Sequence, residues 1–362
     1  MYEKNDVELI DIDYIEKYEI SDFEKIPKDP IISVLMLTYN HDKFVSQAIE
    51  GIINQKTIYS FELVIGEDCS TDVTRQIVLD YQKKYPHIIR VITSDKNVGI
   101  VRNNIRTENS CRGKYIALCE GDDYWFDFTK IQKQVTFMED NPDVGLIHSD
   151  VDQLINDTGV VIRNFNKTNG VDYSFCFDVF TAILVGQYSI HTCSVCAKRK
   201  LFVDAIRDVD LAREAETNMG DLQRWLYIAK NSKIHYINES YAVRRVLTDS
   251  ASFISDKIKR LKFNEWSRKI RFHFAEKYRD DITKECHTIV QLNLYEIQLY
   301  KSYLFTDKTL AVHSIKNIYR VKNRATIRHL ILFIGGYSRL AKLFIKPVVF
   351  VAKKFTNSIN LT

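Results

Sequence analysis

Tyr115-Ile116-Ala117-Leu118-Cys119-Glu120-Gly121-Asp122-Asp123-Tyr124-Trp125 is an apolar, strand-like run that stops in three carboxylates within four residues. Like charges a few ångströms apart repel, so a cluster of this kind is tolerated best where a cation neutralises it. Hard divalent ions take oxygen ligands, and Mg²⁺ commonly uses one or two carboxylates together with substrate phosphates. The stretch therefore points to a metal–diphosphate site at the end of a strand. A solvated acidic turn, capping a helix that starts near Asp127, would use the same residues.

Upstream, the pattern repeats. Ile31 to Leu37 is an apolar, β-branched run suited to a buried parallel strand, ending in Thr38-Tyr39-Asn40. Phe44, Ala48, Ile49, Ile52 and Ile53 then recur at helical spacing. Phe61 to Ile65 reads as a second strand, ending in Glu67-Asp68-Cys69-Ser70-Thr71-Asp72. Ser70 or Thr71 is a suitable N-cap for the helix that follows, to about Lys84. Ile88 to Ile92 is a third strand, Asn97-Val98-Gly99 opens a third helix, and Tyr115 to Cys119 is the fourth strand. Alternating strands and helices predict an α/β fold with a mostly parallel sheet flanked by helices. Ligands of such sheets bind beyond the carboxyl ends of the strands, and there the polar residues gather: Thr38 and Asn40, Glu67 and Asp68, Asn97, and Glu120, Asp122 and Asp123.

This ordered series resembles the family 2 glycosyltransferases, over roughly residues 30 to 250. The resemblance rests on Ser33 to Asn40, Glu67 to Asp72, Asn97 to Gly99 and Gly113 to Trp125. It implies a GT-A (Rossmann-like) fold, a nucleotide-sugar donor, a divalent metal (Mn²⁺ or Mg²⁺) and inversion at the anomeric carbon. Carried over by position, Tyr39 lies near the donor base, with Thr38, Asn40, Asn97 and Arg102 also on the donor side. Asp68 bonds the base edge, usually uracil, so a UDP-sugar is expected. Asp122 and Asp123 match the family's DXD region. The metal ligand is Asp122 or Asp123, according to the relative aligned; Asp123 is favoured, with Asp122 on the ribose. The sequence has Glu120-Gly121-Asp122-Asp123 where D-A-D-D is commoner, and Glu67 where the base-binding motif usually opens with Asp.

On the acceptor side, Ser189 to Cys196, including His191, reads as a strand, and Ala197 to Lys200 leads into a helix. Leu222, Trp225, Leu226 and Ala229 share one face of a later helix, which places Asp221 in its first turn. A carboxylate there is favoured by the helix dipole alone. By resemblance the position is that of the family's catalytic Asp, the general base that takes the acceptor proton. A single base implies one in-line displacement, with no carboxylate nucleophile. Tyr241 to Ser252 resembles a strand and loop that usually reads Y-R-x-H-x-x-S, with Leu247 or Val246 where His is usual. Arg244 and Arg245 are then candidates to clamp the diphosphate, because Arg forks suit phosphate oxygens, although pairing with a surface carboxylate would use either one as well.

The chain has 362 residues, 45% hydrophobic, which excludes a disordered or fibrous class. Seven scattered cysteines fit reduced thiols in a cytoplasmic setting, and Cys193-x-x-Cys196 lacks the second pair that a zinc site would need. Met1 to Pro30 is polar and acidic and does not read as a signal peptide; residues 1–29 form an acidic extension. Residues 1–254 hold 29 Lys and Arg against 39 Asp and Glu, whereas 255–362 hold 22 against 8. The expected organisation is a catalytic domain over 30–254 and a basic helical C-terminal extension over 255–362.

In that extension Phe263, Trp266, Ile270 and Phe274 recur at helical spacing, and Ile289 to Tyr303 is a second amphipathic stretch. From Tyr337 to Phe355, Leu340, Leu343, Phe344, Pro347, Val348, Val351 and Phe355 share one face opposite Arg339, Lys342, Lys346 and Lys353, as one helix or as two shorter ones broken at Pro347. A basic amphipathic helix suggests an anionic membrane surface, hence a peripheral position on the inner face of the cell membrane. Docking on the acidic domain would use the same pattern. The uncharged run His329 to Ser338 is far short of the ~20 residues of a spanning helix. No DNA- or RNA-binding motif accompanies the charge, so nucleic acid is not an expected partner. The acceptor by resemblance is a glycan or a lipid-linked hydroxyl, in surface-polysaccharide synthesis. Two rival classes remain. A non-catalytic sugar-nucleotide-binding protein would carry the donor residues without turnover. A sugar-phosphate nucleotidyltransferase would need a Gly-rich phosphate loop, and Gly66 and Gly99 are isolated.

Overall fold

The computed structural model describes residues 15–207, 220–247, 256–338 and 341–342. Backbone contacts divide the chain into two units, Met1–Ser255 and Asp256–Thr362. The first unit is built on a mixed sheet. In chain order its strands are β1 (Tyr18–Ile20), β2 (Ile32–Thr38), β3 (Phe61–Glu67), β4 (Ile89–Thr93), β5 (Tyr115–Leu118), β6 (Tyr124–Trp125), β7 (Val144–Ile155), β8 (Val160–Ile162), β9 (Cys196–Lys198) and β10 (Lys233–Val246). Their helices are α1 (Val45–Ile53), α2 (Thr74–Lys84), α3 (Ile100–Glu108), α4 (Lys130–Asp140), α5 (Phe165–Thr168), α6 (Val179–Val185), α7 (Arg199–Arg207) and α8 (Gly220–Asn231).

The strand order is β1-β4-β3-β2-β5-β9-β7-β10-β6, with β8 on β7. β4, β3, β2 and β5 run parallel, as do β7 and β10, while β9 is antiparallel to both its neighbours. β2 to β5 are mostly apolar because both faces are covered. Ile32, Val34, Met36, Leu63, Ile65 and Val91 are all fully buried, against Ala48, Ile49 and Ile52 of α1 and Val135 of α4. Each such side chain contributes on the order of 1.5–3 kcal/mol. The register sets Thr38 beside Glu67 and Leu35 beside Leu118. The loops after β2, β3 and β5 therefore leave from one edge, and that edge carries the site.

Three local expectations are corrected. Neither Ser70 nor Thr71 caps α2; the helix starts at Thr74, whose N–H is held by Asp72 Oδ1 at 2.9 Å. The helix near Asp127 starts at Lys130, and Asp127 instead accepts the N–H and the hydroxyl of Thr129. Ser189–Cys196 is not a strand: residues 192–194 form one turn of 3₁₀ helix, and the strand is Cys196–Lys198. The turn lets Trp125 Nε1 donate to the Cys193 carbonyl at 2.8 Å, which ties this segment to β6.

The second unit contains α9 (Lys257–Lys277), α10 (Lys284–Phe305), α11 (Lys308–Lys322) and α12 (Ile327–Tyr337). Each helix has a side-chain cap, from Asp256, Thr283, Asp307 and Thr326 respectively. α10 packs against the other three, and its Leu292 and Leu299 form one buried cluster with Ile318 of α11. Among the described residues no helix is long and apolar enough to cross a membrane. Most of the amphipathic segment expected over Tyr337–Phe355, and residues 248–252 of the expected strand and loop, lie outside the described residues.

Candidate active site

The residues assigned to the donor from sequence lie on loops tied to one another. Asn40 adopts φ +57°, a left-handed conformation that Asn tolerates through its short polar side chain. Its Oδ1 accepts the Thr71 N–H at 2.9 Å, and its own N–H goes to Ser70 Oγ at 3.1 Å. Asn40 thus staples the loop after β2 to the loop after β3. Thr38 is buried, with its hydroxyl 3.3 Å from His41 Nδ1, while Tyr39 is 41% exposed at the edge.

Asp68 is buried and accepts the N–H groups of Val98 and Gly99 at 2.9 and 3.0 Å. Burial raises its pKa against those bonds and the Arg106 guanidinium, 3.5 Å away. Gly99 (φ +84°) is the N-cap of α3, a backbone region that favours glycine. Asn97 completes the turn by donating to the Asp68 carbonyl at 2.9 Å. Arg102 lies half-buried in the first turn of α3. Glu67 is fully buried, spent on the Ser70 N–H and the Thr93 hydroxyl.

The acidic segment after β5 is packed closely against this frame. A Cβ on Gly121 would sit 2.6 Å from Thr38 Oγ1, so this chain has no room for the Ala that is commoner at that position. Asp123 is 5% exposed, and its Oδ1 accepts the Arg245 N–H at 2.7 Å. Burial, then the neighbouring Asp122, push the Asp123 carboxyl up to about 7. Burial, then Asp123, Asp221 and Asp122, hold the Glu120 carboxyl well above the usual range. The cluster is thus short of positive charge. Arg244 is the cation that opposes both shifts, and it has no ion-pair or hydrogen-bond partner among the described residues. Arg245, assigned to the donor from sequence, is 8% exposed and held between the Phe44 and Tyr124 rings. Its guanidinium donates to the Asp122 carbonyl and to Gln47, so it braces the acidic loop.

Asp221 stands in the first turn of α8, and its Oδ2 accepts the Thr192 hydroxyl at 3.2 Å. Burial raises its pKa, while Arg224 and Thr192 oppose the rise. Arg224, one turn along, is almost fully buried and bonds Glu108 of α3 at 2.6 Å. That pair pins α8 to α3. Asp221, Glu120, Asn104 and Leu37 together line a cavity of about 60 Å³. His191 borders the Phe165 ring, and its Nε2 has no hydrogen-bond partner among the described residues. Burial, then Arg244, hold its pKa down at about 3, so the ring is neutral. Thr192, Arg224, Glu108 and Arg106 were not found from sequence. Only Arg224 left a signal, three residues beyond Asp221 on the same helix.

Residues 33–173 match the profile of Glycosyl transferase family 2. The first unit carries a family 2 glycosyltransferase domain of GT-A fold. This glycosyltransferase domain is 31% identical over 137 residues to an uncharacterized glycosyltransferase of Methanocaldococcus jannaschii, covering 38% of this chain and 46% of that protein. It is 30% identical over 109 residues to a Bacillus subtilis protein named for teichuronic acid biosynthesis, TuaG, covering 30% and 42%. The matches span less than half the length of these relatives. Among solved structures, S. aureus TarS in complex with UDP-GlcNAc superposes with a TM-score of 0.52 at 17% identity, covering 84% of this chain and 79% of that one. A mannosyltransferase of Pyrobaculum calidifontis, in complex with GDP-Man and Mn²⁺, gives 0.51 at 14%, covering 91% and 87%.

Among the described residues no group of three or more His, Cys, Asp or Glu side chains could hold a metal by itself. Asp122 and Asp123 nevertheless fit a divalent ion whose remaining ligands come from a diphosphate. Their uncompensated charge, seen in the raised Asp123 pKa, is what such an ion would neutralise.

Proposed function

We propose that this chain is an inverting, metal-dependent glycosyltransferase. It moves a sugar from a nucleotide donor, UDP-linked, to a hydroxyl of a glycan or lipid-linked acceptor in cell-surface polysaccharide synthesis. The observation that carries this reading is the cavity that Asp221 and Glu120 share at the carboxyl edge of the sheet. It sets a candidate base beside the acidic loop. The donors named for TarS and the Pyrobaculum enzyme, and the Mn²⁺ of the latter, support the donor and metal assignments; the name of TuaG supports the setting.

Asp221 is the general base. The Thr192 hydroxyl occupies Oδ2 and leaves Oδ1 to take the acceptor proton. Burial strengthens Asp221 as a proton acceptor, and Arg224 and Thr192 keep it from being protonated too readily. Asp122 and Asp123 hold the divalent ion. When bound, that ion stabilises the charge that develops on the leaving diphosphate. Arg244 offers its fork to the same phosphates. Tyr39 borders the base, Asn40, Asn97 and Thr38 frame its pocket, and Asp68 has lone pairs left for the base edge.

The test is a calorimetric titration with UDP and with GDP, with and without Mn²⁺. Metal-dependent UDP binding that is lost in Asp123→Ala is the expected result. Preference for GDP overturns the uracil assignment, and binding of neither overturns the donor site. The basic C-terminal region is proposed to hold the protein at the inner face of an anionic membrane. Removing residues 336–362 should release it from anionic vesicles, and unchanged binding sinks that proposal.

A further inference from the structure

The second unit has a groove of its own. It encloses about 600 Å³ beside α10 and α11, within the range of about 300–1,000 Å³ typical of small-molecule sites. Arg279, Lys284 and Arg320 line it, and none of the three has an ion-pair or hydrogen-bond partner among the described residues.

Most of the acids of this unit are engaged elsewhere. Glu265 pairs with Lys301 at 2.7 Å, Glu276 with His287 at 2.6 Å and Glu296 with His329 at 3.2 Å. Asp256 and Asp307 cap helices. Asp280 is the one carboxylate on the groove wall, against three cations. The neutral wall is polar as well. Thr288 and Gln291 line it, and so does Asn317, whose Nδ2 is turned to the His313 carbonyl at 2.9 Å. Asn317 Oδ1 is thereby left as an acceptor for a hydroxyl.

We propose that this groove binds a phosphate ester of a hydroxylated alcohol. The cations take the phosphate, for which Arg forks and a Lys point charge are suited. Thr288, Gln291 and Asn317 take the hydroxyls. The proposal does not depend on the donor site of the first unit. The ester has two possible sources, a free phosphorylated compound and a phospholipid headgroup, and both present the same chemistry.

The experiment uses the full chain in EDTA, so that metal-dependent binding elsewhere is silent. Glycerol 3-phosphate is titrated calorimetrically. In parallel, the protein is sedimented with phosphatidylcholine vesicles with and without phosphatidylglycerol. Both are repeated with Lys284→Ala/Arg320→Ala, whose side chains are exposed and whose fold is checked by thermal melting, and with Asp123→Ala. Binding of the soluble ester that weakens by roughly tenfold or more in the double variant, and persists in Asp123→Ala, is the expected result. Vesicle binding that depends on phosphatidylglycerol and is lost in the double variant assigns the ester to a headgroup. No binding in either arm, or binding unchanged in the double variant, overturns the proposal. Transfer to a soluble acceptor should be the same in the double variant as in the unmodified chain.

Discussion

Glu62 and Glu120 are carboxylates at opposite ends of the parallel strands, and they are treated in opposite ways. Glu62, fully buried near the amino end of β3, accepts from the Ser33 hydroxyl, the Arg112 backbone and the guanidinium groups of Arg90 and Arg112, all at 2.5–3.0 Å. Glu120, just past β5, faces Asp122, Asp123 and Asp221, with Arg244 as the opposing cation. A buried charge with every lone pair satisfied holds structure together. A partly buried cluster left short of positive charge stores an unfavourable interaction that a cationic or metal-bearing ligand can relieve. The difference between the two ends separates scaffold from site without reference to any relative.

The comparison is broken most directly at its functional end. Asp221→Asn should lower transfer by on the order of 10²–10⁴-fold while leaving donor affinity nearly unchanged. Single-turnover rates and a UDP titration check both halves, and normal turnover would remove Asp221 as the base. The scaffold end responds in stability instead. Glu62→Gln leaves Arg90 and Arg112 without their shared counter-charge and should cost about 3–5 kcal/mol in urea unfolding. Glu120→Gln should leave the unfolding midpoint unchanged or raise it. A loss in Glu120→Gln as large as that in Glu62→Gln would mean that the two ends do not differ.

A smaller effect separates this chain from the commoner motif. Gly121→Ala would bring a methyl to 2.6 Å from Thr38 Oγ1 and 2.8 Å from His41 Nδ1. The expected cost is about 1–3 kcal/mol, with weaker donor binding because the acidic loop must shift. A variant as stable and as active as the unmodified chain would show that the loop yields freely.

How far the sequence carried the reading follows from the kind of contact involved. β2 to β5 were legible because a strand covered on both faces is mostly apolar, and each ended in the polar residues of the rim. β9 was misplaced by several residues. It is a three-residue strand whose register comes from β5 and β7, and pairing so distant leaves no local period. Of the candidate site, Asp122 and Asp123 were readable as an odd density of charge, and Asp221 by its place in a helix and by resemblance. The site was not legible where polar residues are buried against expectation. Asn103, Arg106 and Thr107 fill the inner face of α3, which ordinary amphipathic reasoning would turn to solvent. Arg245 has the right residue type for phosphate, but its aromatic clamp and its bond to Gln47 are visible only in three dimensions.

The cleanest comparison between charge and ligand is a pH series. Asp123 has its folded pKa raised to about 7, from an ordinary carboxylate value near 3.8. A raised carboxylate binds its proton more tightly when folded. In metal-free buffer, lowering the pH from above 7 toward 4 should therefore stabilise the fold through this group, and raising it should remove that gain. Asp123→Asn cannot titrate there, so its melting temperature should exceed that of the unmodified chain at pH 8 and the gap should close near pH 5. Mn²⁺ with UDP should act in the opposite sense, raising the melting temperature of the unmodified chain most at pH 8, where the carboxylate is free to bind, and less as protons compete below about 7. Thermal melts of the two proteins, with and without metal and nucleotide, test this in one series. A gap independent of pH would show that Asp123 is already compensated in the folded state, and the contrast with Glu62 would then rest on Glu120 and Asp221 alone.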